Sequence, residues 1–400
     1  EMPPDRRRQC FLRRPGLWTY LRLDRRGRIM WRGWRLPRLY PVTHHQKIAV
    51  FDGARAIIGG LDINERRWDD KAHDRPAEET WHDVSALVDG PVVRDIARHV
   101  ADGWNRSRLR MEKLRARQIR LAPAGAGLLG LRTSPLPAPD PGGETAAQGL
   151  KLARTISRNK EGWLRLAPVT RRSELLDEHV RLIAEARRLI YIESQFLRSQ
   201  PVADALAEAA RATPGLGLIM LLPAAPEQIA FQDKSGLPER FGEHLHSECI
   251  ETVTDAFGDR CAIVTPARAV ARDSDGRDTT HGAEMIYVHA KVIVTDDREA
   301  IVSSANLNGR SLCWDTEAGV VCNVPEWSAH LRRRLFEHWL PTDAGDEFYR
   351  LDTATDAWRR LASENARRAP AERRGFIVPH DAHEAEELGL PVPGLPEEAV

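Results

Sequence analysis

Two stretches of this chain place a lysine two residues after a histidine and an aspartate five residues further on. They are His45, Lys47 and Asp52 in HHQKIAVFD, and His289, Lys291 and Asp296 in VHAKVIVTD. Adding 244 to a number in the first triplet gives the second, and also carries Asp62 onto Asn306, Asn64 onto Asn308 and Arg66 onto Arg310. One such octet arises by chance, but two in register with matching downstream polar positions mark a duplicated half-site. On a strand, residues two apart face the same side, so each histidine shares a face with its lysine. That pairing suits phosphate chemistry. Lysine offers a fixed positive charge to phosphoryl oxygens, and histidine can be nucleophile or proton donor. Two copies facing each other would surround one phosphodiester with two histidines and two lysines. One histidine attacks phosphorus and the other protonates the leaving oxygen. Water or an alcohol then resolves the phosphohistidine, with the second histidine acting as base. Two lysines and nearby asparagines neutralise the equatorial oxygens, so this chemistry requires neither metal nor cofactor.

A nucleophilic histidine needs an acceptor on its other ring nitrogen to fix the tautomer and raise its basicity. An acid opening the next strand would serve, and Asp83 in TWHDVSALV and Glu317 in DTEAGVVC occupy equivalent places. Asn306 and its counterpart Asp62 lie just beyond the strand that follows each triplet, where they could bind the phosphate rim. An anion at Asp62 repels phosphate, so that residue also suits holding a lysine or arginine. Asp52 and Asp296 come directly after strands, and their expected role is to accept turn and backbone hydrogen bonds. His44, His73, His82, His281, His244 and His246 receive no role.

The elements that must position these residues follow from patterning. IAVF (48–51) and ARAII (54–58) read as strands joined by the Asp52-Gly53 turn, and VIVT (292–295) and EAIVS (299–303) repeat them. Val84, Ala86 and Val88 alternate as a third strand, echoed by Ala318, Val320 and Cys322. A helix spans 91–118, with Pro91 in its first turn. Residues 121–150 are dense in Pro, Gly and Ala and read as a linker. Beyond it come helix 172–187, strand 189–192, helix 202–212, strand 216–222, a helix within 238–257 and strand 262–265. Helices near 326–338 and 345–366 close the fold, and the tail from His380 reads as peripheral, without fixed structure. Strands alternating with helices of this length indicate α/β layering with the sheet covered on both faces. The expected division is 1–120 for the first half, 121–150 for the linker, 151–370 for the second half and 371–400 for the tail.

The 400 residues carry a net charge of +1, so nothing global demands a nucleic-acid partner. Residues 6–38 are locally Arg-rich, which suits an anionic membrane surface or phosphate-bearing substrate, and equally a solvated face. Five scattered cysteines favour a reducing compartment over a disulfide framework or zinc site. No apolar run approaches the ~20 residues of a membrane-spanning helix. The expectation is a cytoplasmic protein with peripheral membrane contact, although the first residue is Glu and the start therefore carries little weight.

The two triplets, GGLDINERRWD after the first and SSANLNGRSLCWDTEAGV after the second, resemble the phospholipase D superfamily. WHDVSALVDGPVVRDIARHVADGWN (81–105) and IYIESQFLRS (190–199) resemble its two-motif, lipid-acting branch more than the single-motif nucleases that must dimerise. The resemblance runs from about residue 40 to 340. It implies an α/β fold of two similar α/β/α sandwich halves, each a mixed sheet flanked by helices, related by pseudo-twofold symmetry with the site between them. It further implies His45 as nucleophile, His289 as acid, Lys47, Lys291 and Asn306 as phosphate ligands, and Asp83 and Glu317 as the orienting acids. Glu193 and Gln195 fall in the motif beside the cleft and are implied to shape the substrate site. The family carries a substantial segment before its first triplet, and 44 residues precede His45 here, so the first half is expected to be incomplete. Ser303-Ser304 stands where the family often has Gly-Ser, and no calcium-binding β-sandwich is visible.

These residues imply a monomeric phospholipase D-type enzyme acting on glycerophospholipids at a membrane surface, by hydrolysis or transfer. A phosphatidyltransferase of cardiolipin-synthase type is the alternative. A nucleic-acid substrate fits less well, because nothing resembles a base-stacking platform. A binding protein with a dead site is disfavoured by the intact histidines and lysines.

Overall fold

The sequence repeat reappears in the backbone as one three-stranded motif built twice. The computed structural model describes residues 21–23, 28–31, 40, 42–121, 133–140, 149–159, 167–232, 234–273 and 276–400. A small antiparallel pair, β1 (Leu21–Leu23) and β2 (Ile29–Trp31), precedes the first copy. That copy is an antiparallel sheet of β3 (Lys47–Phe51), β4 (Arg55–Gly59) and β6 (Ser85–Asp89), with the short β5 (Trp81–His82) set apart. Asp52 and Gly53 have φ values of 53° and 67°, a left-handed pair that, with Ala54, lets the two strands turn back in three residues. Helix α1 (Val92–Leu121) follows directly after Pro91.

The second copy sits inside a much larger sheet. β7 (Leu150–Asn159) and β8 (Pro168–Ser173) lead into α2 (Glu174–Glu185), β9 (Leu189–Glu193), β10 (Leu197–Arg198) and α3 (Gln200–Ala212). β11 (Gly217–Leu221), α4 (Glu227–Ala230), α5 (Leu237–Phe257) and β12 (Cys261–Ala271) follow. Then come β13 (Thr279–Thr280), β14 (Ala283–Met285), β15 (Tyr287–Val288), β16 (Val292–Thr295), β17 (Glu299–Ser303), β18 (Leu307–Asn308) and β19 (Glu317–Cys322). α6 (Pro325–Trp339), α7 (Ala354–Ala366), β20 (Ile377–Pro379) and α8 (His383–Leu388) complete the chain. The strand order is β13-β14-β12-β11-β9-β16-β17-β19-β7-β8, with β20 also on β12. β9, β11 and β12 run parallel, while β16, β17 and β19 are antiparallel.

Strand alternation divides the core in two. Ile190, Ile192, Ile293 and Ile301 face α2, α3 and α5. Tyr191, Val292, Val294, Ala300 and Val302 face the other way, onto Trp339 of α6, Trp358 of α7, and Ala56, Ile58, Ala86 and Val88 of the first copy. One apolar layer therefore joins the two copies face to face, which is what fixes one triplet relative to the other.

The α/β class and the mixed sheet flanked by helices hold, but among the described residues the halves differ in extent, three strands against eleven. The helix expected over 345–366 is a 3-10 turn at Asp346–Phe348 followed by α7. Thr353 explains the break, since its hydroxyl donates to the Glu347 carbonyl at 2.7 Å and competes with continuous helix. The tail is ordered against the body, with β20 on β12 and the Asn308 amide donating to the Val400 carbonyl at 2.9 Å. Its apolar Ile377 and Val378 are wholly buried, which outweighs the polar composition around them. Most of the Arg-rich stretch and most of the linker lie outside the described residues. No described helix is long and apolar enough to cross a membrane.

Candidate active site

Two short parallel pairings bring the copies together at the triplets. Val288, just before His289, pairs with His82, just before Asp83. His44, just before His45, pairs with Thr316, just before Glu317. The two pairings are equivalent, and each ends in a backbone clamp. The His289 N–H donates to the His82 carbonyl at 2.8 Å, and the His45 N–H donates to the Thr316 carbonyl at 3.0 Å. The next residue then reaches the ring. His289 Nδ1 lies 2.8 Å from Asp83 Oδ2, and His45 Nδ1 lies 2.8 Å from Glu317 Oε1. Both carboxylates are fully buried. Each histidine is thus backed by the acid of the other copy, an exchange that sequence spacing within one copy does not reveal.

With Nδ1 engaged by an acid, Nε2 is the nitrogen each ring would use for chemistry. Both histidines line one cavity of about 410 Å³, together with Gln195, Arg198, Asn306 and Arg310. The Asn306 amide oxygen is buried without a hydrogen-bond partner in the structure. Leaving such a group unsatisfied costs roughly 1–3 kcal/mol, so this amide, like the buried Arg198 Nε on the same cavity, has an unmet demand for a ligand. The lysines sit behind the rings. Lys47 Nζ donates to the His45 carbonyl at 2.7 Å, and Lys291 Nζ donates to the His289 carbonyl. Asp62 lies 3.8 Å from Lys47 Nζ, the lysine-holding position that its charge suggested.

Of the remaining candidates, Asp52, Asp296 and Glu193 do not line the cavity. Asp296 accepts the backbone N–H groups of Arg187, Arg188 and Leu189 at 2.7, 2.7 and 2.9 Å, and so ties the β16–β17 turn to the start of β9. Asp52 sits exposed in the β3–β4 turn. Glu193 is a correction. Rather than touching substrate it is wholly buried in the core, accepting from His82 Nε2 at 2.9 Å, Trp339 Nε1 at 2.9 Å and the Tyr191 hydroxyl. Burial penalises its carboxylate, yet the His82 charge and these three donors outweigh that and hold its pKa below the usual range. Burial likewise opposes charge on His82, but Glu193 overcomes it and raises that pKa. Gln195 does line the cavity, and its amide donates to the Tyr287 hydroxyl at 2.5 Å.

Several contributors carried no signal strong enough to single them out. Ser304 donates to Glu317 Oε2 at 2.5 Å and so fixes the acid behind His45. The first copy has Gly60 at the corresponding place, and a Cβ there would lie 2.1 Å from Asp83 Oδ1. The Trp81 ring stands 5.5 Å from the His289 ring, with the Arg66 guanidinium 5.0 Å above the indole. The offset of 244 pairs Gly60 with Ser304 and was the one available pointer to that asymmetry.

A family model described as "Cardiolipin synthase, PLD-like domain" matches residues 179–339. Phospholipase D2 of Bos taurus is 23% identical over 436 residues, covering 81% of this chain and 44% of its own length. Phospholipase D1 of Schizosaccharomyces pombe is 27% identical over 351 residues, covering 70% of this chain and 25% of its own. The chain therefore spans less than half the length of these curated relatives. Among solved structures, a phosphatidylserine synthase of Haemophilus influenzae is similar at a TM-score of 0.42 and 13% identity, over 74% of this chain and 63% of that one. With the two triplets and their surrounding segments, these matches make the chain similar to the phospholipase D superfamily.

Proposed function

We propose that the chain is a phospholipase D-type phosphodiesterase that hydrolyses or transfers the phosphatidyl group of glycerophospholipids. The observation that carries this reading is the reciprocal pairing of His45 with Glu317 and His289 with Asp83 on one cavity. His45 Nε2 attacks phosphorus while His289, protonated, gives its Nε2 proton to the departing alcohol oxygen. The P–O bond to the headgroup breaks and a P–N bond to His45 forms. Water then attacks the phosphohistidine, its proton passes to His289, and His45 leaves. An alcohol in place of water gives transfer. The unequal roles follow the family resemblance, and Asn306 with the two lysines supplies the charge neutralisation. Both half-sites lie on one chain, so a monomer suffices, meeting its lipid in peripheral contact with a bilayer.

The test is choline release from phosphatidylcholine vesicles with excess chelator, with and without ethanol. Choline release that persists in chelator, with phosphatidylethanol formed when ethanol is added, is the expected result. Absence of both products, or their loss on chelation, contradicts the proposal. A second reading, phosphatidyl transfer to another phospholipid, is favoured by the family model matched over residues 179–339. Cardiolipin formed from phosphatidylglycerol vesicles faster than phosphatidic acid would select it.

A further inference from the structure

The catalytic cavity carries an arginine to which the phosphodiester chemistry gives no task. β10 and β18 run parallel, with Leu197 opposite Leu307 and Arg198 opposite Asn308. Both leucines belong to the apolar core. Strand alternation turns their neighbours Phe196, Arg198, Asn306 and Asn308 the other way, and all four line the cavity with His45 and His289. Arg198 is only 7% exposed, and an arginine is rarely so buried unless it is paired. Its guanidinium is clamped. The Phe196 ring lies 4.2 Å from the guanidinium carbon, and Nη2 donates to Glu243 Oε1 at 2.8 Å. Gly242 leaves it room, since a Cβ there would lie 2.5 Å from Nη1. The other oxygen of Glu243 accepts from Arg277 at 2.9 Å. Arg198 Nε is left with no hydrogen-bond partner in the structure.

Two groups on this wall therefore have opposite needs. Arg198 Nε–H is a donor in want of an acceptor, and Asn306 Oδ1 is an acceptor in want of a donor. Strand spacing and rise set the two residues roughly 8 Å apart across the pair, a span that the long arginine side chain and one small group can bridge. A hydroxyl is the small group that donates and accepts at once. A quaternary ammonium does neither, and a primary ammonium only donates. Glu227 and Glu239 also line the cavity and would attract a cation. Glu227, however, lies 3.7 Å from Arg66, and the charge of Glu239 acts on Arg198 itself. We propose that Arg198 is a headgroup-binding residue which, with Asn306, grips a headgroup hydroxyl and so selects glycerophospholipids with a polyol headgroup over those ending in a bare ammonium. Asn306 keeps its amide nitrogen for the phosphate. The inference deepens the phospholipase reading given above and rests on it.

Short-chain phosphatidylglycerol and phosphatidylpropanol make the cleanest comparison. They share charge and headgroup carbon skeleton and differ only in the hydroxyls. The kcat/KM for phosphatidic acid formation is measured on each lipid for the wild type, Arg198→Lys and Gly242→Ala. The wild type should favour phosphatidylglycerol by roughly 10–100-fold, the range for a hydrogen bond to a charged group. Lysine keeps the charge opposite Glu243 but has no Nε–H to give. Alanine at position 242 displaces the guanidinium while leaving Arg198 in the chain. Both variants should bring the ratio to within about threefold of unity, as loss of that bond requires. Damage that is merely structural lowers both rates and leaves their ratio intact. A wild-type ratio near one, or a ratio that both variants keep, overturns the assignment while phosphatidic acid formation upholds the phospholipase reading. Phosphatidic acid from neither lipid overturns that reading, and this inference with it.

Discussion

Glu317 is 272 residues from His45 in the chain and 2.8 Å from its Nδ1 in space. Asp83 and His289 stand in the same relation across 206 residues. Neither copy of the repeat can orient its own histidine, so the two triplets form one site because their acids are exchanged.

The exchange makes the phenotypes of the acids cross over. Glu317→Gln should suppress formation of the covalent intermediate on His45, whereas Asp83→Asn should impair protonation of the leaving group by His289. Each is expected to cost roughly 10²–10³-fold in turnover, about 3–4 kcal/mol. Single-turnover kinetics with a choline ester and an activated p-nitrophenyl ester separate the two. Asp83→Asn should recover most of its rate on the activated ester, and Glu317→Gln should not. Recovery by Glu317→Gln alone would mean that each acid serves the histidine of its own copy.

Gly60 is the place where a single methyl group should break one dyad. A Cβ there would lie 2.1 Å from Asp83 Oδ1, so Gly60→Ala must push the carboxylate off His289. We expect turnover to fall about 10²-fold with KM little changed, following the Asp83→Asn pattern on the two esters. A variant with normal kcat on the choline ester would show that the Asp83–His289 contact is dispensable.

The buried His82–Glu193 pair ties the strand carrying Asp83 to the centre of the large sheet. Replacing one member of such a pair leaves the other buried and uncompensated, so Glu193→Gln should destabilise by roughly 3–5 kcal/mol. The raised His82 pKa means that its stabilising contribution is complete below about 6.5 and is lost as pH rises through the higher folded value. The lowered Glu193 pKa means the reverse at acid pH, with loss as pH falls through its folded value. Urea titrations of wild type and variant across pH should therefore show the widest gap between pH 4.5 and 6.5, closing on both sides. A gap independent of pH would deny that the pair is ionic.

The acid limb of stability should also be early. Burial keeps His246 and His380 neutral down to about 3, and His99 and His338 down to about 4. Unfolding lets each take up a proton below its ordinary value near 6.5, so the unfolded state gains on the folded one from there downward. Melting temperature should fall measurably between pH 6.5 and 5, before most carboxylates titrate. A flat profile over that interval would contradict the burial of these rings.

Much of this was legible in the sequence for a physical reason. Strand hairpins with an Asp-Gly turn and period-two apolar residues are local patterns, and Lys47–Phe51 and Val292–Thr295 lie close to where those patterns put them. The exchange of acids was not legible, because it depends on the pairing of Val288 with His82, a contact set by packing of distant segments. Glu193 falls in a motif that the family resemblance sets beside the cleft, and only three dimensions reveal that His82, Tyr191 and Trp339 satisfy it in the core. The tail misled through composition. Its Pro and acidic content suggested a free end, but Ile377 and Val378 were enough to seat it on β12.

The central claim is that one histidine carries the phosphatidyl group while the other shuttles protons. It is tested most directly by rapid quenching with phospholipid labelled in the diester phosphate, followed by locating the label in the protein. Wild type should hold label on the peptide containing His45, and His289→Ala should do so with an activated leaving group. His45→Ala should hold none. Label on His45→Ala would contradict the assignment outright.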